Sequence, residues 1–230
     1  MAFMKKNNTI SLIDGSGFIF RAYYALPPLT NSEGTPVGAV LGFCNMLFKT
    51  LEDENNEKII VVFDTARKTF RNEIYSLYKA NRGPPPDDLI PQFDLIRKAV
   101  DAFNITRIEL AGYEADDLIA TYSKFFSDKN WTVNIISSDK DLMQLVTEKI
   151  KMIDPIKNKI IGKEEVFEKF GVYPNKVIDV QSLAGDSTDN VPGAPGIGIK
   201  TAATLINEFG NIENLLENFQ KIKQNKRRET

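Results

Sequence analysis

Histidine is absent from the 230 residues, and cysteine occurs once, at Cys44. The first absence removes Ser-His-Asp triads, Cys-His pairs, histidine general bases and His-containing zinc sites together. The second removes intramolecular disulfides and cysteine-rich zinc centres. Cys44 lies in the mostly apolar, helically spaced run 37–48, the setting of a small buried hydrophobe rather than of a nucleophile. No stretch of about 18 or more apolar residues occurs, and residues 1–9 carry two lysines without an apolar signal core, so neither a membrane span nor secretion is expected and a cytoplasmic location is. A basic excess is also missing: 29 Lys and Arg against 31 Asp and Glu leave a formal charge of −2, the wrong sign for a typical nucleic-acid binder. Chemistry on this chain must run on carboxylates, Lys, Arg, Tyr and metal.

With 42% hydrophobic residues the chain can bury a sizeable core, as one large domain or a domain with an appendage. Short apolar runs at 10–13, 58–63, 105–110 and 131–136 read as strands, and the uninterrupted run Ile59-Ile60-Val61-Val62-Phe63 suits a parallel strand buried on both faces. Each run leads into acids. Asp14 follows the first and opens a loop-forming Asp-Gly-Ser-Gly cluster, Asp64 follows the second, and Asp139 and Asp141 follow the fourth. The third leads through Ala111-Gly112 to Glu114-Ala115-Asp116-Asp117, three carboxylates in four residues at the start of a helix running to about residue 128. An acidic first turn is ordinary at the positive end of a helix dipole, but this density costs mutual repulsion that a hard divalent cation would relieve. Any one of these aspartates reads equally well as a helix cap or Asx turn. In a parallel sheet, however, the C-terminal strand ends share one edge, where such folds place ligands, and capping by coincidence at all four ends is far less probable than at one.

Between the second and third strands runs a long excursion, 65–100, in which Lys68, Arg71, Lys79, Arg82, Arg97 and Lys98 alternate with Phe70, Tyr75 and Tyr78 before and after Pro84-Pro85-Pro86. Basic residues interleaved with aromatics suit phosphate contact and base stacking; a solvated amphipathic helix is the competing reading. A helix is expected over 37–52, a strand pair over 149–161 with its turn near Lys157-Asn158, and helices over 163–170, 174–184, 202–208 and 212–218. Acids recur in Gly185-Asp186-Ser187-Thr188-Asp189-Asn190, followed by the run Gly193 to Thr201. This run is neither a Walker A loop, since Ile199 separates Gly198 from Lys200, nor a dinucleotide fingerprint, since Thr201 stands where a third Gly is needed. It is a tight turn opening a helix, and either presents N–H groups and Lys200 to a phosphate or merely joins two helices. The chain closes on Lys221, Lys223, Lys226, Arg227 and Arg228, a basic end suited to phosphate.

Assembled in order, these segments resemble the 5′-nuclease (flap endonuclease-like) family, in the form of the 5′-to-3′ exonuclease domain of bacterial DNA polymerase I. The matching motifs are Leu12-Ile13-Asp14-Gly15, Val62-Phe63-Asp64, Tyr78-Lys79-Ala80-Asn81-Arg82, Glu114-Ala115-Asp116-Asp117, Ser138-Asp139-Lys140-Asp141 and Gly185-Asp186-Ser187-Thr188-Asp189-Asn190, and they extend over nearly the whole chain. The resemblance implies an α/β fold with a mostly parallel twisted sheet flanked by helices. It divides into a nuclease core over 1–162, with a helical arch at about 70–100, and a helical duplex-binding region over 163–230 with a helix-hairpin-helix-like turn at 185–209. It further implies that Asp14, Asp64, Glu114, Asp116, Asp117, Asp139, Asp141, Asp186 and Asp189 hold two divalent cations, Mg²⁺ or Mn²⁺ in its place, with Asp117 orienting its neighbours. By the same resemblance Lys79 and Arg82 reach the scissile phosphate, and Tyr75 or Tyr78 stacks on an unpaired base. Arg21 adds a phosphate contact, and Gly196, Gly198, Lys200 and Thr201 hold the duplex. The implied activity is two-metal hydrolysis of DNA at a 5′ end or 5′ flap, in replication and repair, by a monomer that is a polymerase-associated domain or a stand-alone protein. Family members continue for several helices beyond the clamp, so the alternative is a truncated DNA-junction binding module without catalysis. Setting the nine acids aside leaves 22 of 31 against 29 basic residues, a balance of +7 that reconciles an acidic chain with DNA binding.

Overall fold

The computed structural model describes residues 8–52, 58–66 and 68–222. By their contacts these fall into two compact units, the first drawn from residues up to 70, 84–142 and 148–160, the second from residues 71–83, 143–147 and 161–222.

The first unit is built on a six-stranded sheet with strands β1 (Thr9–Asp14), β2 (Ile59–Val62), β3 (Thr106–Ile108), β4 (Thr132–Ile136), β5 (Ile150–Asp154) and β6 (Lys159–Ile161), in the order β3-β2-β1-β4-β5-β6. β1 pairs in parallel with both β2 and β4, β2 with β3 and β4 with β5. The central strand β1 is buried along five of its six residues, Ser11 and Asp14 included, as a parallel strand covered on both faces must be. The weaker third run yields only three residues of strand, at the sheet's edge. Asn158, in the left-handed region at φ 48°, makes the turn between β5 and β6.

Helices α1 (Gly15–Ala25), α2 (Gly38–Leu51), α3 (Phe70–Ile74), α4 (Ile90–Ala102) and α5 (Ala115–Asp128) follow the early strands. Phe18, Ile19, Phe43, Leu47, Phe63, Leu89, Ile96 and Val100 pack with Ile13 and Val61 into one core cluster. Two expectations change here. The Gly-Ser-Gly cluster after Asp14 is the first turn of α1 rather than a loop. The excursion is helical only over α3 and α4, and α4 buries Gln92, Ile96 and Val100, so its second half is a core helix rather than part of an arch.

α2 has no side-chain cap of its own. Gln92 of α4 supplies one from 53 residues away, accepting the Ala39 N–H at 2.8 Å and the Val40 N–H at 3.3 Å while its amide nitrogen donates to the Asp88 carbonyl at 2.9 Å. Two otherwise unsatisfied helix donors are thereby paired in the interior.

The second unit is helical: α6 (Lys163–Phe170), a 3₁₀ turn at Pro174–Lys176, α7 (Val177–Ala184), α8 (Ile199–Phe209) and α9 (Ile212–Glu217). The helix expected over 174–184 is thus a 3₁₀ turn leading into α7. Val166, Phe170, Val177, Val180, Ala202, Leu205, Ile206 and Leu215 are its buried face. α7 ends at Gly185 (φ 70°), where the main chain passes so close to Gly193 that a side chain would strike backbone. Residues 71–83, expected in the nuclease core, cluster with this helical unit. Lys221 closes a 3₁₀ turn, Phe219–Lys221, whereas Lys223, Lys226, Arg227 and Arg228 lie outside the described residues. Among the described residues no helix is long and apolar enough to cross a membrane.

Candidate active site

Because β1, β2, β3 and β4 run in parallel, the residues that follow them lie at one edge of the sheet. Asp14 is the last residue of β1 and the N-cap of α1, its Oδ1 accepting the Gly17 N–H at 2.8 Å. Its Oδ2 accepts from Ser137 Oγ at 2.8 Å. Burial pushes the Asp14 carboxyl up from 3.8 to about 6; the Gly17 and Ser137 hydrogen bonds oppose this, and the charges of Asp64 and Asp139 add to it. A side chain at Gly17 would collide with the Asp14 carboxylate, so glycine is what lets the first turn wrap this group closely.

Asp64 lies just beyond β2. Its Oδ1 accepts the Ala115 N–H, the first of α5, at 2.7 Å, which sets the carboxylate at the positive end of that helix. Its own N–H donates to Ser16 Oγ at 3.1 Å, and its carbonyl accepts from Arg97 at 3.0 Å. At the start of α5, Glu114 is buried, and its N–H donates to Asp117 Oδ2 at 2.9 Å. Asp117 thus fastens the turn that presents Glu114 and Asp116. Beyond β4, the Asp139 N–H donates to Ser137 Oγ at 3.0 Å, and Asp139 Oδ1 accepts the Asp141 N–H at 2.9 Å. The buried Ser137 therefore joins Asp14 to Asp139.

Helix capping and gathering of acids coexist: Asp14, Asp64 and Asp139 each satisfy backbone donors, and a carboxylate keeps lone pairs after doing so. The donor set is all carboxylate oxygen, which suits a hard divalent cation in kind, and a cation would offset the cost of burying Asp14 beside other carboxylates. Among the described residues no three acids form a group that would hold an ion as they stand. The fit is one of chemistry and charge.

The remaining candidates lie elsewhere. Arg21 is half-buried on α1. In the second unit, Tyr75, Tyr78, Lys79 and Arg82 follow α3, and Asp186 and Asp189 occupy the loop after α7. Asp186 pairs its backbone with Val191 and accepts the Thr188 N–H at 2.8 Å. The two groups meet: Asp189 carries Tyr78, Lys79 and Arg82 on its carboxylate. Gly196 (φ 75°) and Gly198 lead into α8, whose first turn exposes Lys200 and half-exposes Thr201 with no side-chain cap on the helix. Ser16, Gly17 and Ser137 carry no functional assignment in the sequence, and Arg97, one of the excursion's basic residues suited there to phosphate contact, instead donates to the Asp64 carbonyl. The available signal for Ser137 was its place between a buried strand and Asp139; for Gly17, a glycine three residues beyond a strand-ending aspartate.

Two family models between them match residues 9–230: residues 9–171 match the 5′-3′ exonuclease, N-terminal resolvase-like domain, and 172–230 the 5′-3′ exonuclease, C-terminal SAM fold. A DNA polymerase I of Rhizobium leguminosarum is 55% identical over 99% of this chain, which spans only 23% of that protein. A 5′-3′ exonuclease of Aquifex aeolicus is 44% identical over 94% of this chain and 75% of its own length. Among solved structures, a flap endonuclease of bacteriophage T5 in complex with DNA and metal ions superimposes with a TM-score of 0.79 at 23% identity, over 96% of this chain and 83% of that one. The shared fold extends the likeness past what sequence identity alone carries, and with both family models matched the chain belongs to the 5′-3′ exonuclease family.

Proposed function

We propose that this chain is a metal-dependent nuclease that hydrolyses DNA phosphodiesters from a 5′ end and at a 5′ flap beside a duplex junction. The observation that carries the reading is the gathering of Asp14, Asp64 and Asp139, with Glu114 and Asp116 on the adjoining helix, at the C-terminal edge of a parallel sheet in a member of this family. Asp14, Asp64, Glu114, Asp116, Asp139 and Asp141 would hold two Mg²⁺ ions, for which Mn²⁺ substitutes, and Asp117 orients Glu114. Asp186 and Asp189 belong to the second unit, and the reading does not rest on them. Divalent cations held by these carboxylates would supply Lewis acidity for activating water and for offsetting the charge of the phosphodiester. Lys79 and Arg82 donate to the phosphoryl oxygens, Tyr75 or Tyr78 stacks on the unpaired base, and Arg21 adds a phosphate contact. The turn at Gly196 and Gly198, with Lys200 and Thr201, directs N–H groups and a cation at the duplex backbone. The setting is DNA replication and repair in the cytoplasm, with the chain acting as a monomer.

The T5 relative's complex with DNA and metal ions supports the substrate class and the need for metal. A 5′-labelled flap duplex incubated with Mg²⁺ tests the reading. Cleavage should stop in chelator, return with Mn²⁺, and fall at least about 10²-fold in Asp14→Asn and Asp116→Asn with DNA binding retained. Binding without cleavage at any Mg²⁺ concentration would make the chain a junction-binding module instead.

A further inference from the structure

The loop after α7 and the segment after α3 are more than 100 residues apart in sequence, yet they are tied by a dense set of polar contacts within the second unit. Asp189 is at the centre. Its carboxylate accepts from Tyr78 Oη at 3.1 Å, pairs with Arg82 through Oδ1, and lies 3.8 Å from Lys79 Nζ. Its carbonyl accepts the Lys79 N–H at 2.9 Å. Around it, Asn81 Nδ2 donates to the Ser187 carbonyl at 2.9 Å and Asn190 Nδ2 to the Leu77 carbonyl at 2.7 Å. Lys79 adopts φ 54°, a left-handed conformation that disfavours a long side chain and persists where surrounding bonds over-determine it. The Lys79 and Asp189 side chains are only 22% and 15% exposed, so their attraction is less screened than that of a surface pair.

A carboxylate and a phosphodiester are rival partners for the same cations: both present oxygens that match a guanidinium fork and an ammonium. We infer that Asp189 is a positioning residue and internal counter-charge: it pre-orders Tyr78, Lys79 and Arg82 in the substrate-free protein, and a DNA phosphate must displace its carboxylate to engage them. The inference rests on the proposed phosphate contacts of Lys79 and Arg82. Pre-ordering reduces the rotamer entropy lost when two long side chains close on a phosphate. The same carboxylate opposes the incoming negative charge, so affinity is traded for a fixed geometry. Once released, Asp189 gathers a cation from solution, offsetting one of the cations that DNA gives up on binding.

The test is flap-duplex binding in chelator, measured by fluorescence anisotropy over a range of salt concentrations, for the full chain and for Asp189→Asn and Asp189→Glu. Asp189→Asn should bind about three- to ten-fold tighter at low salt, because the opposing charge is gone. Its slope of log affinity against log salt should steepen by about one, since no cation is taken up. Asp189→Glu, which keeps the charge, should return both values to near the parent's. Amide exchange over residues 75–82 should accelerate in Asp189→Asn. Unchanged affinity and slope in Asp189→Asn would overturn the inference. So would a loss of Mn²⁺ affinity by calorimetry with metal-free DNA binding unaltered, which would give this aspartate to the metal. Lys79→Ala and Arg82→Ala in the same assay separate the two layers: if neither weakens binding, the phosphate-contact reading falls and the inference with it; if both weaken it while Asp189→Asn does not tighten it, only the inference falls.

Discussion

Asp14 ends a strand, caps a helix and sits among other carboxylates, and its energetics follow from the conflict between those positions. Its carboxyl is raised from 3.8 to about 6, so between those pH values the folded state holds a proton that the unfolded state has lost. Stability from this group is therefore greatest below about pH 4 and is lost as pH rises through about 6. The full penalty of a shift of about two units is roughly 3 kcal/mol. In chelator, Asp14→Asn should thus gain on the parent chain by up to about 3 kcal/mol as pH goes from 4 to 7, measured as the difference between their urea-unfolding free energies. Divalent cation should close that gap by stabilising only the carboxylate form. A difference that stays flat with pH would mean that Asp14 is not held at a cost. The variant that is more stable without metal should also be the one that no longer cuts, because the destabilising charge is the one the chemistry needs.

At the scale of elements, the first unit is joined by caps that come from outside the helices they serve. Asp64 receives the first N–H of α5, and Gln92 of α4 receives two N–H groups of α2. These links fix helix starts relative to the sheet. Tyr23 of α1 adds another, donating to Asp88 at 2.7 Å ahead of α4. Gln92 is 2% exposed, so Gln92→Ala would leave buried donors unpaired and should cost about 1–3 kcal/mol by chemical denaturation. Gln92→Glu should recover part of that loss, since its carboxylate accepts both N–H groups; a neutral outcome in Gln92→Ala would show that water takes over the bonds. Neither cap is visible in a local sequence window. A helix-start search looks for Ser, Thr, Asp or Asn immediately before an apolar run, and Val37 stands there.

For the whole molecule, the net charge of −2 conceals two populations. Nine acids are assigned to metal by resemblance, and the other 22 face 29 cations. DNA affinity should accordingly fall steeply with salt despite the acidic average, by about 10³-fold between 50 and 200 mM for six phosphate contacts. Anisotropy titrations at a series of salt concentrations check this, and a slope near zero would contradict an electrostatic interface. Part of the cationic balance is held in internal pairs, among them Arg97 with Glu109 and Arg107 with Asp101 and Glu109, so the slope should be smaller than a count of basic residues suggests.

Strand identity, the parallel sheet and the acids at its C-terminal edge were legible in the chain itself. A parallel strand covered on both faces must be a continuous apolar run, and the residues next in the chain must lie at one edge. The family motifs were legible for the same reason, being residues that local chain direction delivers. Other features depended on contacts between distant segments. Gly15 and Gly17 read as a loop because glycine is a poor helix former, yet they open α1 because a side chain at either would strike Phe63 or Asp14. The second half of the excursion is a core helix because Ile96 and Val100 pack with Phe63 and its neighbours; the helical spacing of Leu89, Phe93, Ile96 and Val100 marks an apolar face, but what covers that face is decided by the fold. Asp189 and Lys79 carry opposite assignments in the sequence, one toward metal and one toward phosphate, and only folding makes them partners. Residue order alone dictates which residues end the strands and which carry charge. Which of those charges face one another is a property of the folded chain, because it depends on loop closure over tens of residues rather than on any residue's own preference.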